Sequence, residues 1–241
     1  MTANTDSFVA VTSLDYIAEG YWQDFLAQRP IAGGIAYESK LQACELDESL
    51  ASLQRIAALL SQIKRDLVKG DIVDQDKVSA SNNRESSLLA DDIFRNLLVF
   101  LAFYAGRVLA RQWQSTPHWY SQSELRRRYP ELPLIAENFY QEMAVTYELT
   151  TDHSSSLFFA LEPIGLRLFG NIDRQFVAVQ GGTVVSGLYQ AVNERLPDTN
   201  KSTDNTSNAM AIDTAKFTKV AKPVSQPTSS DSELTSTTVK K

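Results

Sequence analysis

The most constraining feature of the sequence is a long apolar segment at residues 87–114. Its apolar side chains recur at helical spacing and cover more than one face of the helix that this spacing predicts. A helix that is apolar around most of its circumference has to be buried on several sides. We therefore expect the segment to be the central helix, with the second predicted helix, between Asp47 and Gly70, packed on one side of it. Its longest apolar run, residues 97–105, is far shorter than the roughly 20 residues that cross a bilayer, so we expect no membrane-spanning helix.

A first amphipathic helix is predicted near the N-terminus, over residues 14–28. Thr12 and Ser13 precede it as candidate N-terminal caps, and Pro30 follows it as a stop signal. The next segment, residues 31–37, contains two adjacent glycines, which disfavour a helix and permit positive φ. It is predicted to be a loop.

A second amphipathic helix is predicted between Asp47, as its cap, and Gly70, as its end. Its apolar residues form one stripe: Leu50, Leu53, Ile56, Ala57, Leu60, Ile63 and Leu67. Residues 71–87 are mostly polar and lack a sustained apolar period. They are predicted to be a mobile connection to the central helix.

The sequence beyond the central helix favours strands. A short helix is predicted around residues 123–128, and residues 143–149 alternate with a period of two, which predicts a strand with one buried face. Residues 156–161 are a second strand candidate. Residues 151–155 are rich in turn formers, so the two strands are predicted to form a hairpin.

The C-terminal part of the domain leaves one alternative open. Residues 164–169 lie between Pro163 and Gly170, which is typical of a short helix, but Gly165 also allows a third, broken strand. A last amphipathic helix is predicted over residues 184–195.

These elements predict an α+β fold: an N-terminal bundle of about three helices packed on a small antiparallel sheet of two to four strands, with a closing helix. Residues 1–196 are expected to be one globular domain. Residues 197–241 contain 16 Ser and Thr in 45 positions and few large apolar residues, so this tail is predicted to be disordered. Its patch at residues 209–220 is interpreted as linker, with a partner-binding motif as the alternative.

The net charge and the cysteine count limit which classes of protein this chain can belong to. The net charge is −6, which repels phosphate backbones and makes a nucleic-acid partner unlikely, whereas a basic protein partner is favoured. Cys44 is the only cysteine, which excludes an intramolecular disulfide. The N-terminus has no basic residue before its short apolar patch, so no signal peptide is expected, and a cytoplasmic location is predicted.

Several motifs resemble catalytic or ligand sites but have simpler explanations. Asp152, His153 and Ser154 are adjacent, whereas hydrolase triads are assembled from distant segments, so a turn is the better interpretation. The glycines at residues 181–182 match no phosphate loop. Cys44 has no signature of a nucleophile around it. No catalytic residue, metal or cofactor is predicted.

Six residues remain as candidate contacts for a ligand or partner. Three form a basic cluster, which is either a solvated helix face or a clamp for an acidic group. Another, Arg167, is a charged residue within the apolar run 164–169. It is expected to pair with Glu162 or Asp173, either as a structural anchor or as a ligand contact. An aromatic residue lies at the junction between helices and strands, where core packing or a pocket is expected. With a histidine, the set is Trp119, Arg126, Arg127, Arg128, His153 and Arg167.

Two classes of function follow. The first is a non-catalytic cytoplasmic module that binds a protein and regulates it, in an adaptor or immunity-like role. The second is a small enzyme whose site lies between the helical and sheet layers and uses His153 or His118 with carboxylates and Arg167. A pocket that brings several of these residues together would favour the enzyme.

Overall fold

The computed structural model describes residues 11–73, 80–147, 157–170 and 185–197, and this part is an α+β fold. It contains eight α-helices and one antiparallel sheet of three strands, which confirms the predicted class. In chain order the elements are α1 (Ser13–Leu26), α2 (Glu38–Gln42), α3 (Leu50–Val73), α4 (Ala80–Ala90), α5 (Asp92–Gln112), β1 (His118–Ser121), α6 (Gln122–Arg128), a 3-10 helix (Phe139–Gln141), β2 (Met143–Thr146), β3 (Leu157–Phe158), α7 (Leu161–Phe169) and α8 (Leu188–Asn193). The predicted disordered tail lies outside the described residues, so the domain boundary near residue 197 stays a prediction.

The central helix is α5, as the apolar pattern predicts. Thirteen of its 21 residues are buried, and it contacts α1, α4, α7, α8 and β2. By length and composition α5 is apolar enough to cross a membrane, but 72% of its most apolar stretch is buried inside the protein, as in a core helix.

The predicted helix over residues 87–114 is in fact two helices. Asp91 separates α4 from α5, and its carboxylate accepts a hydrogen bond from the Ile93 N–H at 3.0 Å. Because an aspartate at this position satisfies an otherwise unpaired N–H, it starts a new helix within an apolar pattern. Most of the predicted connection over residues 71–87 is helical, in α3 and α4; residues 74–79 lie outside the described part.

The large apolar residues predicted to form one stripe of α3 pack into the core. The predicted start and end of this helix are wrong. The hydroxyl of Ser49, not Asp47, accepts the Ser52 N–H. Asp47 instead accepts hydrogen bonds from the N–H and hydroxyl of Ser49. The helix runs past Gly70 to Val73, since a single glycine costs a helix only about 1 kcal/mol. α3 packs mainly against α7 and α8 rather than along α5.

The N-terminal part follows the sequence closely. Thr12 caps α1 in a capping box, in which its hydroxyl accepts the Asp15 N–H and the Asp15 carboxylate accepts the Thr12 N–H. Residues 31–37 form the predicted loop, with Gly33 and Gly34 at φ of +82° and +77°. The five-residue helix α2 follows and was not predicted.

The sheet has the order β1-β2-β3, and every pairing is antiparallel. β2 is the central strand and confirms the strand predicted at residues 143–149. All four of its residues are buried, so the expected exposed face is wrong, because both faces of the sheet are covered. β3 pairs with β2 as the hairpin predicts, and its connection over residues 148–156 lies outside the described part. β1 was not predicted.

The remaining helices, α6, α7 and α8, agree with the predictions from the sequence. α6 confirms the helix predicted around residues 123–128, and α7 shows that residues 164–169 are helical and not a broken strand. Gly170 ends α7 at φ of +83°. α8 is the predicted closing helix, shortened to six residues.

Gly106 marks the closest approach between α5 and the sheet. A Cβ atom at this position would lie 2.4 Å from Cζ2 of Trp119 and 3.1 Å from Cγ1 of Val145. Only glycine therefore lets the helix backbone rest on the Trp119 ring, which is 1% exposed.

Candidate functional site

A cleft of about 630 Å³ lies between α1, the C-terminal half of α5 and the segment that leads into β1. Its volume is within the range of sites that bind small ligands or anchoring side chains. Its walls are largely aromatic: Tyr21, Trp22, Phe100, Phe103, Tyr104 and Trp119. The cleft therefore lies where the helical layer meets the sheet.

Arg107 projects from α5 into this cleft and joins two of its sides. Its guanidinium donates to the carboxylates of Glu48 at 2.7 Å and Glu19 at 2.8 Å. The guanidinium carbon also lies 5.2 Å from the centre of the Trp22 ring. Burial opposes the charge of Arg107, but the bonds to Glu48 and Glu19 outweigh burial and raise its pKa.

Glu48 is held in place by its backbone as well as by its carboxylate. It has a φ of +58°, a conformation that costs a residue other than glycine on the order of 1 kcal/mol. Its N–H donates to the hydroxyl of Tyr104 at 2.8 Å, and this hydroxyl is 2.6 Å from that of Ser52. Arg111 also contacts the Glu48 carboxylate, at 3.2 Å. The strained residue is thus fixed with its charged end in the cleft.

Asp15 lines the opposite end of the cleft and connects α1 to β1. Its carboxylate accepts the Trp119 N–H at 2.7 Å, while the neighbouring Thr12 hydroxyl donates to the Trp119 carbonyl at 2.6 Å. Nδ1 of His118 is 3.6 Å from the Asp15 carboxylate, longer than an ordinary hydrogen bond. Burial opposes the charge of Asp15, but its contacts with His118 and with the N–H groups of Thr12 and Trp119 prevail and lower its pKa.

Asp15 and His118 are a carboxylate and an imidazole side by side, the two groups of a proton-transfer dyad, but Nδ1 of His118 is buried and makes no hydrogen bond to any described residue. The nearest hydroxyls are engaged elsewhere: that of Thr12 accepts the Asp15 N–H and donates to the Trp119 carbonyl. The Ser115 hydroxyl donates to the Tyr147 carbonyl. Cys44 does not line the cleft, and burial raises the pKa of its thiol.

The lip of the cleft is apolar and exposed. Val11 and Tyr16 both line the cleft, and their exposed fractions are 58% and 71%. Exposed apolar side chains beside a concave aromatic surface are typical of an interaction site.

Among the residues selected from the sequence, Trp119 is in the cleft wall. The basic cluster lies elsewhere, on α6. Arg126 donates to the Leu134 carbonyl at 3.0 Å, and Arg128 donates to the Tyr120 hydroxyl at 3.1 Å. Arg127 and Arg128 line a separate groove of about 400 Å³.

Arg167 is also remote from the cleft. It donates to the Ser61 hydroxyl at 2.7 Å, whereas the Glu162 carboxylate accepts a hydrogen bond from Gln141 at 3.3 Å. The expected pairing of Arg167 with Glu162 is therefore wrong as far as the described contacts go, because α7 presents Arg167 to α3. Asp173, the other expected partner, lies outside the described residues. So do His153, the adjacent Asp152 and Ser154, and the glycines at 181–182.

Over the described ranges, no three His, Cys, Asp or Glu side chains converge as a metal site would require. The sequence pointed to the aromatic junction but missed Arg107, Glu48, Asp15 and Tyr16. Arg107 carried the same signal as Arg167, a charge within an apolar string. The long sequence separation between Glu48 and Arg107 left no local signal of their pairing.

Comparison with protein-family models, with curated proteins and with solved structures gives no match for this chain. A functional assignment therefore has to come from the cleft itself.

Proposed function

We propose that this protein is a non-catalytic cytoplasmic binding module that contacts a partner protein through the cleft between α1 and α5. The observation that carries the proposal is the exposed apolar lip beside the aromatic cleft, formed by Val11 and Tyr16. Large apolar side chains that project into solvent beside a pocket gain free energy when a second protein covers them.

The partner is expected to be basic. The net charge of −6 attracts a positively charged surface at long range and speeds its association. We propose a regulatory role, in which the acidic chain covers a basic surface of its partner.

The test is affinity capture of the tagged full-length chain from its native cells, followed by mass spectrometry. We expect a stoichiometric basic partner, and we expect Tyr16→Ala to weaken its binding at least tenfold, because an exposed aromatic side chain that a partner covers contributes on the order of 2 kcal/mol. Leu26→Ala is the matched control: Leu26 is also on α1 and 54% exposed, but it does not line the cleft. Equal capture by wild type and both variants, or capture of no partner, would contradict the proposal.

A second candidate is a small enzyme that uses His118 as a base, and the position of His118 beside Asp15 in the cleft favours it. Turnover of a small substrate by the purified chain, lost in His118→Gln, would replace the binding module by this function.

A further inference from the structure

The cleft already binds one cation, which belongs to the chain itself. The Arg107 guanidinium lies on the Trp22 ring and between the carboxylates of Glu19 and Glu48. The same surface elements, an aromatic face with carboxylates beside it, are those that proteins use to bind cationic side chains. Arg107 therefore shows which chemistry this surface suits.

The charges that line the cleft favour a second cation over an anion. Three carboxylates, Asp15, Glu19 and Glu48, line it beside two arginines, Arg107 and Arg111. The faces of the aromatic walls carry negative electrostatic potential, which attracts a cation and repels an anion. The net charge of the chain acts in the same direction at longer range.

One of the two arginines is weakly held and can be replaced. The Arg111 side chain is 59% exposed, and it contacts Glu48 at 3.2 Å and the Asp47 carbonyl at 3.3 Å. An ion pair this exposed contributes little to stability. Glu48, in contrast, is fixed by its N–H bond to Tyr104 and stays in place when Arg111 leaves. A guanidinium from outside can thus take the position of Arg111 on a preorganised carboxylate.

We infer that the cleft receives an arginine side chain of the partner protein, with its aliphatic part against the aromatic walls and its guanidinium on Glu48. This inference rests on the proposed function, because it names the chemistry of the residue that the cleft takes from the partner. Arginine is preferred to lysine because its planar guanidinium stacks on aromatic faces and donates to a carboxylate oxygen in a fixed geometry, as Arg111 does to Oε2 of Glu48.

The first test uses blocked tripeptides as probes of the full-length chain. Acetyl-Ala-Arg-Ala-amide is compared with the same peptide carrying citrulline, the uncharged analogue of arginine, or glutamate. Binding is followed by the NMR signal of the Trp22 indole N–H. We expect saturable binding of the arginine peptide and at least fivefold weaker binding of the other two. Equal binding of arginine and citrulline peptides, or tighter binding of the glutamate peptide, overturns the inference.

The second test removes the competing arginine. Arg111→Gln should tighten binding of the arginine peptide at least threefold, since Glu48 then has one competitor fewer. Arg29→Gln is the matched control, because Arg29 is 62% exposed, pairs with Asp24 and does not line the cleft. An equal effect of both variants would indicate general charge and overturn the inference. Loss of the partner in Tyr16→Ala, together with equal binding of arginine and citrulline peptides, would overturn the arginine alone and leave the protein-binding function standing.

Discussion

Two consecutive residues of α5 face opposite kinds of surroundings. At Gly106 the helix backbone touches the Trp119 ring, and a Cβ atom would lie 2.4 Å from it. At Arg107 the side chain enters a cleft of about 630 Å³ beneath the half-buried helix α1. One side of the helix is packed without spare volume, and the other keeps an open surface lined with charges. Substitutions on the two sides should therefore differ in their cost to stability.

The largest expected effect is away from the cleft, at the buried Glu162 of α7. It is 6% exposed, and burial raises the pKa of its carboxyl to about 7 against the opposing effects of Gln141 and Arg195. Because the folded-state pKa is above the unfolded value of about 4.3, the contribution of Glu162 to stability is fully present below about pH 4 and is lost as the pH rises through 7. At about 1.36 kcal/mol for each pH unit between the two values, the loss is about 4 kcal/mol by linkage.

Glu162→Gln should remove this pH dependence. Urea unfolding at pH 4, 5 and 8 measures it, with the exposed Glu131→Gln as the control that keeps the slope. If the wild type and Glu162→Gln lose the same stability between pH 4 and 8, the buried carboxyl is not its source.

The next effect is expected at Gly106 itself. Gly106→Ala forces the Trp119 ring or the helix to move, and overpacking of this kind costs up to about 3 kcal/mol, of which a helical alanine recovers up to about 1 kcal/mol. We expect a net loss of about 2 kcal/mol in chemical denaturation. The matched control is Gly20→Ala on α1, where no atom lies within 4 Å of the added Cβ and a small gain is expected. Equal stability of the two variants would show that the Trp119 ring does not restrict the space at residue 106.

The smallest effect is expected on the cleft side, at Asp15. Asp15→Asn removes the charge that binds the Thr12 and Trp119 N–H groups and should cost about 1 kcal/mol at pH 7. Because the pKa of Asp15 is lowered, its contribution is present above the unfolded value of about 3.9 and is lost as the pH falls through the folded value.

The difference between wild type and Asp15→Asn, measured by urea unfolding, should therefore shrink from pH 7 to pH 3. Asp24→Asn, on the solvent side of the same helix, should cost less than about 0.5 kcal/mol. A difference that is constant with pH would show that the charge of Asp15 does not dock α1.

The sequence predicted those parts of the fold that local chemistry decides. The apolar pattern of α5, the N-terminal cap at Thr12 and the glycine after α7 act within one or two helical turns, so they can be recognised in isolation. Prediction from the sequence failed where contacts between distant segments determine the structure. β1 is only four residues long, and the burial of both faces of β2 depends on distant helices.

The candidate site was predicted less completely than the fold. The aromatic junction around Trp119 was identified, because aromatic residues cluster there in the sequence. The pairing of Arg107 with Glu48 was not, because 59 positions separate them and only the packing of α5 beside the loop before α3 brings them together.

The attachment of Thr12 and Asp15 to Trp119 has a consequence for how copies of this chain meet. The N–H and carbonyl of Trp119 point away from β2, along the edge where a further strand would add, and the N–H of Ser121 on the same edge is bonded to Glu124. An open edge of this kind is a template for intermolecular strand pairing and aggregation. The side chains of Thr12 and Asp15, at the N-terminal cap of α1, cover this edge of β1. A cut in the chain after Asp15 would therefore expose the unpaired backbone groups of β1 and lower the solubility of the C-terminal fragment.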